Sequence, residues 1–219
     1  MTATATRLAL DLPSLDLAAF RATPLRHEPY DYVVVPGFVR PGTFEEIVAD
    51  YPEIGRTGSY PPSTLSYGKR FAAFLAELES PALRQAMAEK FGVDLEGRPT
   101  MITVRGRTGG DDGHIHTDTA SKIITVLIYF NRSWDADGGR LRILRGPGDL
   151  NDYAEEVSPF AGTLLAFRRS EKSWHGHERF TGQRRAIQLN WVTDQKVVDR
   201  ELARHKMSAL FKRLNPFAA

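Results

Sequence analysis

Lys122–Phe130 reads KIITVLIYF: one lysine, then eight residues that are apolar except for Thr125. The run is rich in β-branched residues, is too short for a core helix of ordinary length and shows no helical period, so it predicts a buried strand. Working outward, four segments share its composition: Met101–Arg105, Arg140–Leu144, Gly162–Phe167 and Arg185–Val192. Turn residues separate them, namely Gly109-Gly110, Asp137-Gly138-Gly139, Gly146-Pro147-Gly148, Pro159 and Gly182. Short strands punctuated in this way predict an antiparallel sandwich or barrel.

The flanks read differently. Tyr32–Val35 predicts a strand closed by Pro36-Gly37. Thr43 is placed to cap a helix with Glu45 and Glu46 in its first turn, ending near Pro52. Phe71–Leu78 and Pro81–Phe91 carry helical spacing, with Pro81 in a first turn and Gly92 as the C-terminal stop. The tail, Val197–Leu214, returns to helical spacing through Val198, Leu202, Met207, Leu210, Phe211 and Leu214. Thr2–Thr6 is expected to fray. The predicted organisation is one mainly β domain with flanking helices (α+β). Residues 1–98 give helical support and a first strand, 99–193 the β core, and 194–219 a C-terminal helix.

Composition narrows the chemistry. The 219 residues include no cysteine, so no disulfide scaffold, thiolate metal site or cysteine nucleophile is available. Any metal must take nitrogen and oxygen ligands. Lys and Arg number 29 against 27 Asp and Glu, a net charge of +2 spread along the chain. No basic run interleaved with aromatics marks a nucleic-acid stripe, so no nucleic-acid partner is expected. Lys122–Phe130 is far short of the roughly 20 apolar residues that span a bilayer, so no membrane partner is expected either. Without a basic segment leading into an apolar run, Met1–Pro13 does not read as a secretory leader, which makes the cytoplasm the expected compartment.

Four of the six histidines form two close pairs. The first lies in Asp111-Asp112-Gly113-His114-Ile115-His116-Thr117-Asp118. On extended backbone, residues two apart share a face, so His116 and Asp118 can point together into a barrel. One histidine from another strand would complete a 2-His-1-carboxylate facial set, which leaves half the coordination sphere open, as in non-haem Fe(II) oxygenases. A cupin reading through His114 and His116 lacks the Glu that should follow: Thr117 to Lys122 contains none. The second pair is Trp174-His175-Gly176-His177, ahead of Gly182-Gln183-Arg184-Arg185-Ala186-Ile187-Gln188-Leu189-Asn190-Trp191. By alternation Arg185, Ile187, Leu189 and Trp191 share one face, and a buried guanidinium there matches a carboxylate in bidentate fashion.

In order, His116-x-Asp118, Tyr129-Phe130-Asn131, Gly138-Gly139-Arg140-Leu141-Arg142, Gly162-x-Leu164-x-x-Phe167, His175 and Arg185 resemble the 2-oxoglutarate- and Fe(II)-dependent dioxygenases, in their prolyl-hydroxylase-like branch. The resemblance covers residues 99 to 193. It implies a double-stranded β-helix, or jelly roll. It further implies that His116, Asp118 and His175 are the catalytic iron ligands and that Arg185 pairs with the distal carboxylate of 2-oxoglutarate. His177 competes with His175, and Arg184 with Arg185. The spacing of ten residues from His175 to Arg185, the Arg-to-Trp interval and the alternation favour Arg185 and turn Arg184 outward. Lys122 shares strand parity with Ile124, Val126 and Ile128 and can reach inward toward an anion, while Leu141 and Trp191 are placed to wall the cosubstrate pocket. His114, Arg105 and Arg107 are candidates for its mouth.

The resemblance implies an enzyme that uses Fe(II), 2-oxoglutarate and O2 to hydroxylate an unactivated C–H of a small polar molecule or a protein side chain, releasing succinate and CO2. The carboxylate at Asp118 leaves no vacancy for a halide and disfavours halogenation. The alternatives are an N-demethylating repair-type dioxygenase, a non-catalytic metal-binding jelly-roll module and a zinc hydrolase with the same ligands. Substrate access is expected past Arg56–Lys69, Arg105–Gly113 and Arg145–Val157.

Overall fold

The computed structural model describes residues 14–214, and of residues 205, 206 and 208–214 the backbone only. The expected fraying of Thr2–Thr6 and the apolar side chains of Leu210, Phe211 and Leu214 therefore lie outside the described residues. Among the described residues, eight strands build two antiparallel sheets. The larger has the order β1 (Tyr32–Val35), β6 (Leu164–Arg168), β3 (Lys122–Tyr129), β8 (Gly182–Val192) and β2 (Thr100–Thr108). The smaller has the order β5 (Tyr153–Val157), β4 (Leu141–Leu144) and β7 (His175–His177). Residues 113–116 extend the smaller sheet: His116 and His175 exchange backbone hydrogen bonds at 3.0 Å each way, and His177 N–H donates to Gly113 O at 2.9 Å.

The two faces of the larger sheet have different duties. One carries Val33, Val35, Val104, Ile124, Val126, Ile128, Leu164, Ile187, Leu189 and Trp191 in the main apolar core. Helices α1 (Leu17–Ala22), α2 (Pro41–Ala49), α3 (Lys69–Leu78) and α4 (Pro81–Phe91) supply apolar side chains to the same core. Phe130, fully buried, sits at its centre. Its ring stacks on Phe44 at 5.9 Å and meets Phe74 edge-on at 5.3 Å. The opposite face looks into the space between the sheets. Tyr32, Tyr129, Leu165, Phe167 and Ala186 pack there on Leu141, Ile143 and Val157 of the smaller sheet. The rest of that space is the cavity described below.

Local sequence explains the helix ends. Ser80 Oγ accepts from Leu83 N–H at 3.2 Å and Pro81 opens α4, while Gly92 closes it at φ 60° in the left-handed region. Helix α2 departs from expectation: it begins at Pro41, with Thr43 inside the first turn rather than at the cap. Pro41 has no N–H to satisfy and brings its φ preset, so it opens the helix without a side-chain cap.

Two expected access segments are ordered by the sheets. Residues 57–60 lie along the β2 edge: Tyr60 N–H donates to Val104 O at 2.9 Å and Val104 N–H returns to Tyr60 O at 2.8 Å. Tyr153–Val157, expected within a lid, is the edge strand β5. Its charged residues hid its period, and each has a partner: Glu155 accepts from Tyr32 Oη at 3.1 Å and Glu156 from Arg142 Nε at 2.8 Å. Helix α5 (Gln195–Leu214) follows β8. Among the described residues, no helix is long and apolar enough to cross a membrane.

Candidate metal and cosubstrate site

His116, Asp118 and His175 converge between the sheets, with one ligand-capable atom from each within 4.8 Å of the others. The sheet edge assembles them. The backbone bridge between His116 and His175 brings their rings to 4.3 Å between centroids. Each ring has its Nδ1 committed to backbone: His116 Nδ1–H donates to His114 O at 2.8 Å, and His175 Nδ1–H to Ser173 O at 2.9 Å. Those bonds fix the tautomer and leave both Nε2 lone pairs for a metal.

Asp118 is 7% exposed and held on both oxygens. Lys122 Nζ donates to Oδ1 and Thr125 Oγ1 to Oδ2, each at 2.5 Å. Burial drives the carboxyl up, but the charges of Lys122 and His175 and these hydrogen bonds win, holding it below the ordinary carboxylate range. Burial pushes the His175 imidazole down to about 4 despite the Asp118 carboxylate. A carboxylate and neutral imidazoles are the states a metal ion requires.

The triad lines a cavity of about 230 Å³ whose other walls include Thr103, Arg105, Lys122, Leu127, Leu141, Arg184 and Gln188. Arg184 is its most unusual wall. The residue is 5% exposed, and its Nε donates to Gly139 O at 2.8 Å. Its guanidinium carbon lies 5.2 Å from the Tyr129 ring centroid. Neither Arg184 Nη2 nor the Tyr129 hydroxyl, both buried, has a hydrogen-bond partner. Among the described residues Arg184 has no carboxylate within 4.0 Å, and Asp112, whose charge reaches it, is tied to Arg105, so this buried cation has no direct ion-pair partner. Burial raises the Tyr129 hydroxyl, against the pull of Arg184, so it stays a neutral donor.

This overturns the expected geometry of β8. Arg185, Ile187, Leu189 and Trp191 do share a face, but Ile187, Leu189 and Trp191 pack in the helix-covered core. Arg185 places its guanidinium carbon 5.4 Å from the Tyr51 ring centroid and lines a surface cleft with Trp134 and Phe180. The largest apolar face of the strand belongs under the helices, and the face toward the cavity carries Arg184, Ala186 and Gln188. Trp191 accordingly does not wall the cavity, whereas Leu141 does. Lys122 reaches the cavity for a different reason from the parity expected: the register of β3 slips between Lys122 and Ile124, placing Lys122 on the side of Thr125 and Leu127.

His177 lines the cavity outside the triad, its Nδ1–H donating to Glu178 O at 2.8 Å. Burial, reinforced by Arg184, pushes its imidazole down to about 4. His114 is exposed and contributes its carbonyl to His116. Arg105 stands at the mouth, tied to Asp112 at 2.8 Å, whereas Arg107 is exposed and outside the cavity lining. Thr125, Tyr129, Thr103 and Gln188 escaped the sequence reading. Their signal was polarity at alternate positions inside otherwise apolar strands.

Residues 103–193 match the family model of the 2OG-Fe(II) oxygenase superfamily. Similar solved structures include a prolyl-4-hydroxylase from Pseudomonas putida, 16% identical at a TM-score of 0.55, with 81% of this chain and 99% of that one covered. An oxidoreductase of the 2OG-Fe(II) oxygenase family from Burkholderia pseudomallei is 14% identical at 0.51, covering 80% and 89%. HygX from Streptomyces hygroscopicus, solved with nickel and 2-oxoglutarate bound, is 15% identical at 0.50, covering 75% and 83%. No curated protein matches the sequence. Through its β core the chain is thus similar to the 2OG-Fe(II) oxygenases, a superfamily of enzymes that use Fe(II), 2-oxoglutarate and O2, and it shares the fold of the solved structures above.

Proposed function

We propose that this protein is a 2-oxoglutarate-dependent hydroxylase acting on an unactivated C–H of a small polar molecule. The observation that carries the reading is the buried Arg184, with no direct ion-pair partner, in the same cavity as the His116/Asp118/His175 cluster. A dicarboxylate with a keto acid at one end is the ligand that answers both.

In this reading His116, Asp118 and His175 hold Fe(II), and Arg184 receives the distal carboxylate of 2-oxoglutarate as a charge-assisted pair. Tyr129 donates its free hydroxyl to the same carboxylate. Thr125 and Lys122 keep Asp118 ionised and oriented, so the metal side is preorganised before loading. Leu127, Leu141 and Ala186 supply apolar wall that excludes water. When bound, iron with 2-oxoglutarate and O2 supplies the oxidising chemistry, with succinate and CO2 released.

The test is direct. Anaerobic chain with Fe(II) and 2-oxoglutarate should show a visible charge-transfer band, and admitting O2 should yield succinate. Fully metallated protein with neither band nor succinate sinks the reading.

A further inference from the structure

A second cavity, of about 350 Å³, adjoins the first and shares Ser59, Thr103, Lys122 and Gln188 with it. Met101, Ser121, Asn190 and Val192 continue its wall, and Val197, Glu201 and Arg204 bring helix α5 against it. The segment pinned to the β2 edge contributes Ser59 and the helix the opposite residues, so the space lies between ordered elements of the chain.

The charges around the two cavities cancel locally. Lys122 is paired with Asp118 at 2.5 Å, Arg105 with Asp112 at 2.8 Å, and Arg204 with Glu201 at 2.6 Å. His177 is buried, with its Nδ1–H given to Glu178 O at 2.8 Å. Arg184 alone among these has no carboxylate within 4.0 Å, the nearby Asp112 being tied to Arg105, and the proposed function commits it to 2-oxoglutarate. The groups left to a substrate are hydroxyls, carboxamides and apolar carbon. A charged substrate would lose hydration on entry and find every opposite charge already engaged, which is a penalty built against it.

We infer that the adjoining cavity is the primary-substrate pocket and that it takes a neutral, hydrogen-bonding small molecule rather than an anion, a cation or a zwitterion. This rests on the function proposed above. Gln188, which lines both cavities, then acts as a specificity-determining residue, offering an uncharged donor and acceptor at their junction.

The experiment uses the full chain loaded anaerobically with Fe(II) and 2-oxoglutarate. The visible band before any substrate is added tests the function reading by itself. Two charge series are then offered. One is glucose, glucuronate and glucosamine. The other is leucine blocked at both ends, free leucine, N-acetyl-leucine and leucinamide. Perturbation of the band and stimulation of succinate release above the substrate-free level are read for each. The expected result is a response to a neutral member at a concentration at least tenfold below that of its charged counterparts. Gln188→Glu should shift the preference of the responding series toward its cation. A charged member ahead of the neutral one, or no response from the neutral member of either series while the band forms, overturns the inference.

Discussion

Thr125 and Asp118 stand seven residues apart and meet at 2.5 Å, the Thr125 hydroxyl donating to Asp118 Oδ2. Lys122 holds the other oxygen. A candidate metal ligand gripped on both sides has little freedom left to lose on binding.

Thr125→Val keeps the side-chain shape and removes that donor. Metal affinity should fall by roughly 10- to 100-fold, the usual consequence of losing a partner of a ligating group. Titration of Mn(II) into the purified chain reads it. Unchanged affinity in a folded variant would make Thr125 a packing residue only.

Arg184→Ala should weaken 2-oxoglutarate by about 100-fold or more, seen as loss of the visible band at ordinary cosubstrate concentration, while Arg185→Ala leaves it near wild type. Arg184→Met should also stabilise the ligand-free chain, by about 1–3 kcal/mol, because it removes a buried cation without a direct ion-pair partner. If Arg185→Ala rather than Arg184→Ala abolishes the band, the assignment of faces on β8 is reversed.

Gly113 has φ 94°, and a Cβ there would overlap the His177 ring, 2.4 Å from Nδ1 and far inside van der Waals contact. Gly113→Ala should therefore push residues 113–116 off the sheet edge and carry His116 away from His175. Thermal unfolding should drop by the equivalent of about 2 kcal/mol or more, with a parallel loss of Mn(II) affinity. A variant as stable and as tightly metallated as wild type would show that this edge adapts freely.

His175 and His177 are buried with pKa values of about 4, below the roughly 6.5 of an exposed imidazole. As pH falls the unfolded chain takes up these protons first, so stability of the metal-free protein should decline from about pH 6.5 down to about pH 4 and lose nothing further through these groups below that. Unfolding midpoints across this range measure it, and His177→Gln should flatten the slope. An equal slope in that variant would mean that His177 is not held neutral in the fold.

Much of this was legible along the chain. β-branched runs between turn residues marked five of the eight strands, and Tyr32–Val35 a sixth. The missed two were β5, whose glutamates obscure its period, and the three-residue β7, too short to show one. The His-x-Asp spacing and the second histidine pair brought the metal cluster within reach, since alternation on extended backbone is a local property. Faces were another matter. Alternation correctly grouped Arg185 with Ile187, Leu189 and Trp191 and set Arg184 on the opposite face, yet it carries no information about which face lies under helices.

By itself, the sequence determined the elements, their approximate limits and which side chains share a strand face, because propensity, turn chemistry and a period of two act between near neighbours. Only the tertiary structure decided which face became cavity. Burying Phe44, Phe71, Phe74 and Phe130 against the larger sheet took its bulkiest apolar face for the helices, and Arg184 was left facing the space between the sheets. It also decided the pairing of charges, since Asp118, Lys122, Arg105 and Asp112 neutralise one another only once β2, β3 and the residues between them close around a common cavity. Long-range burial settles both, and the local sequence does not record it.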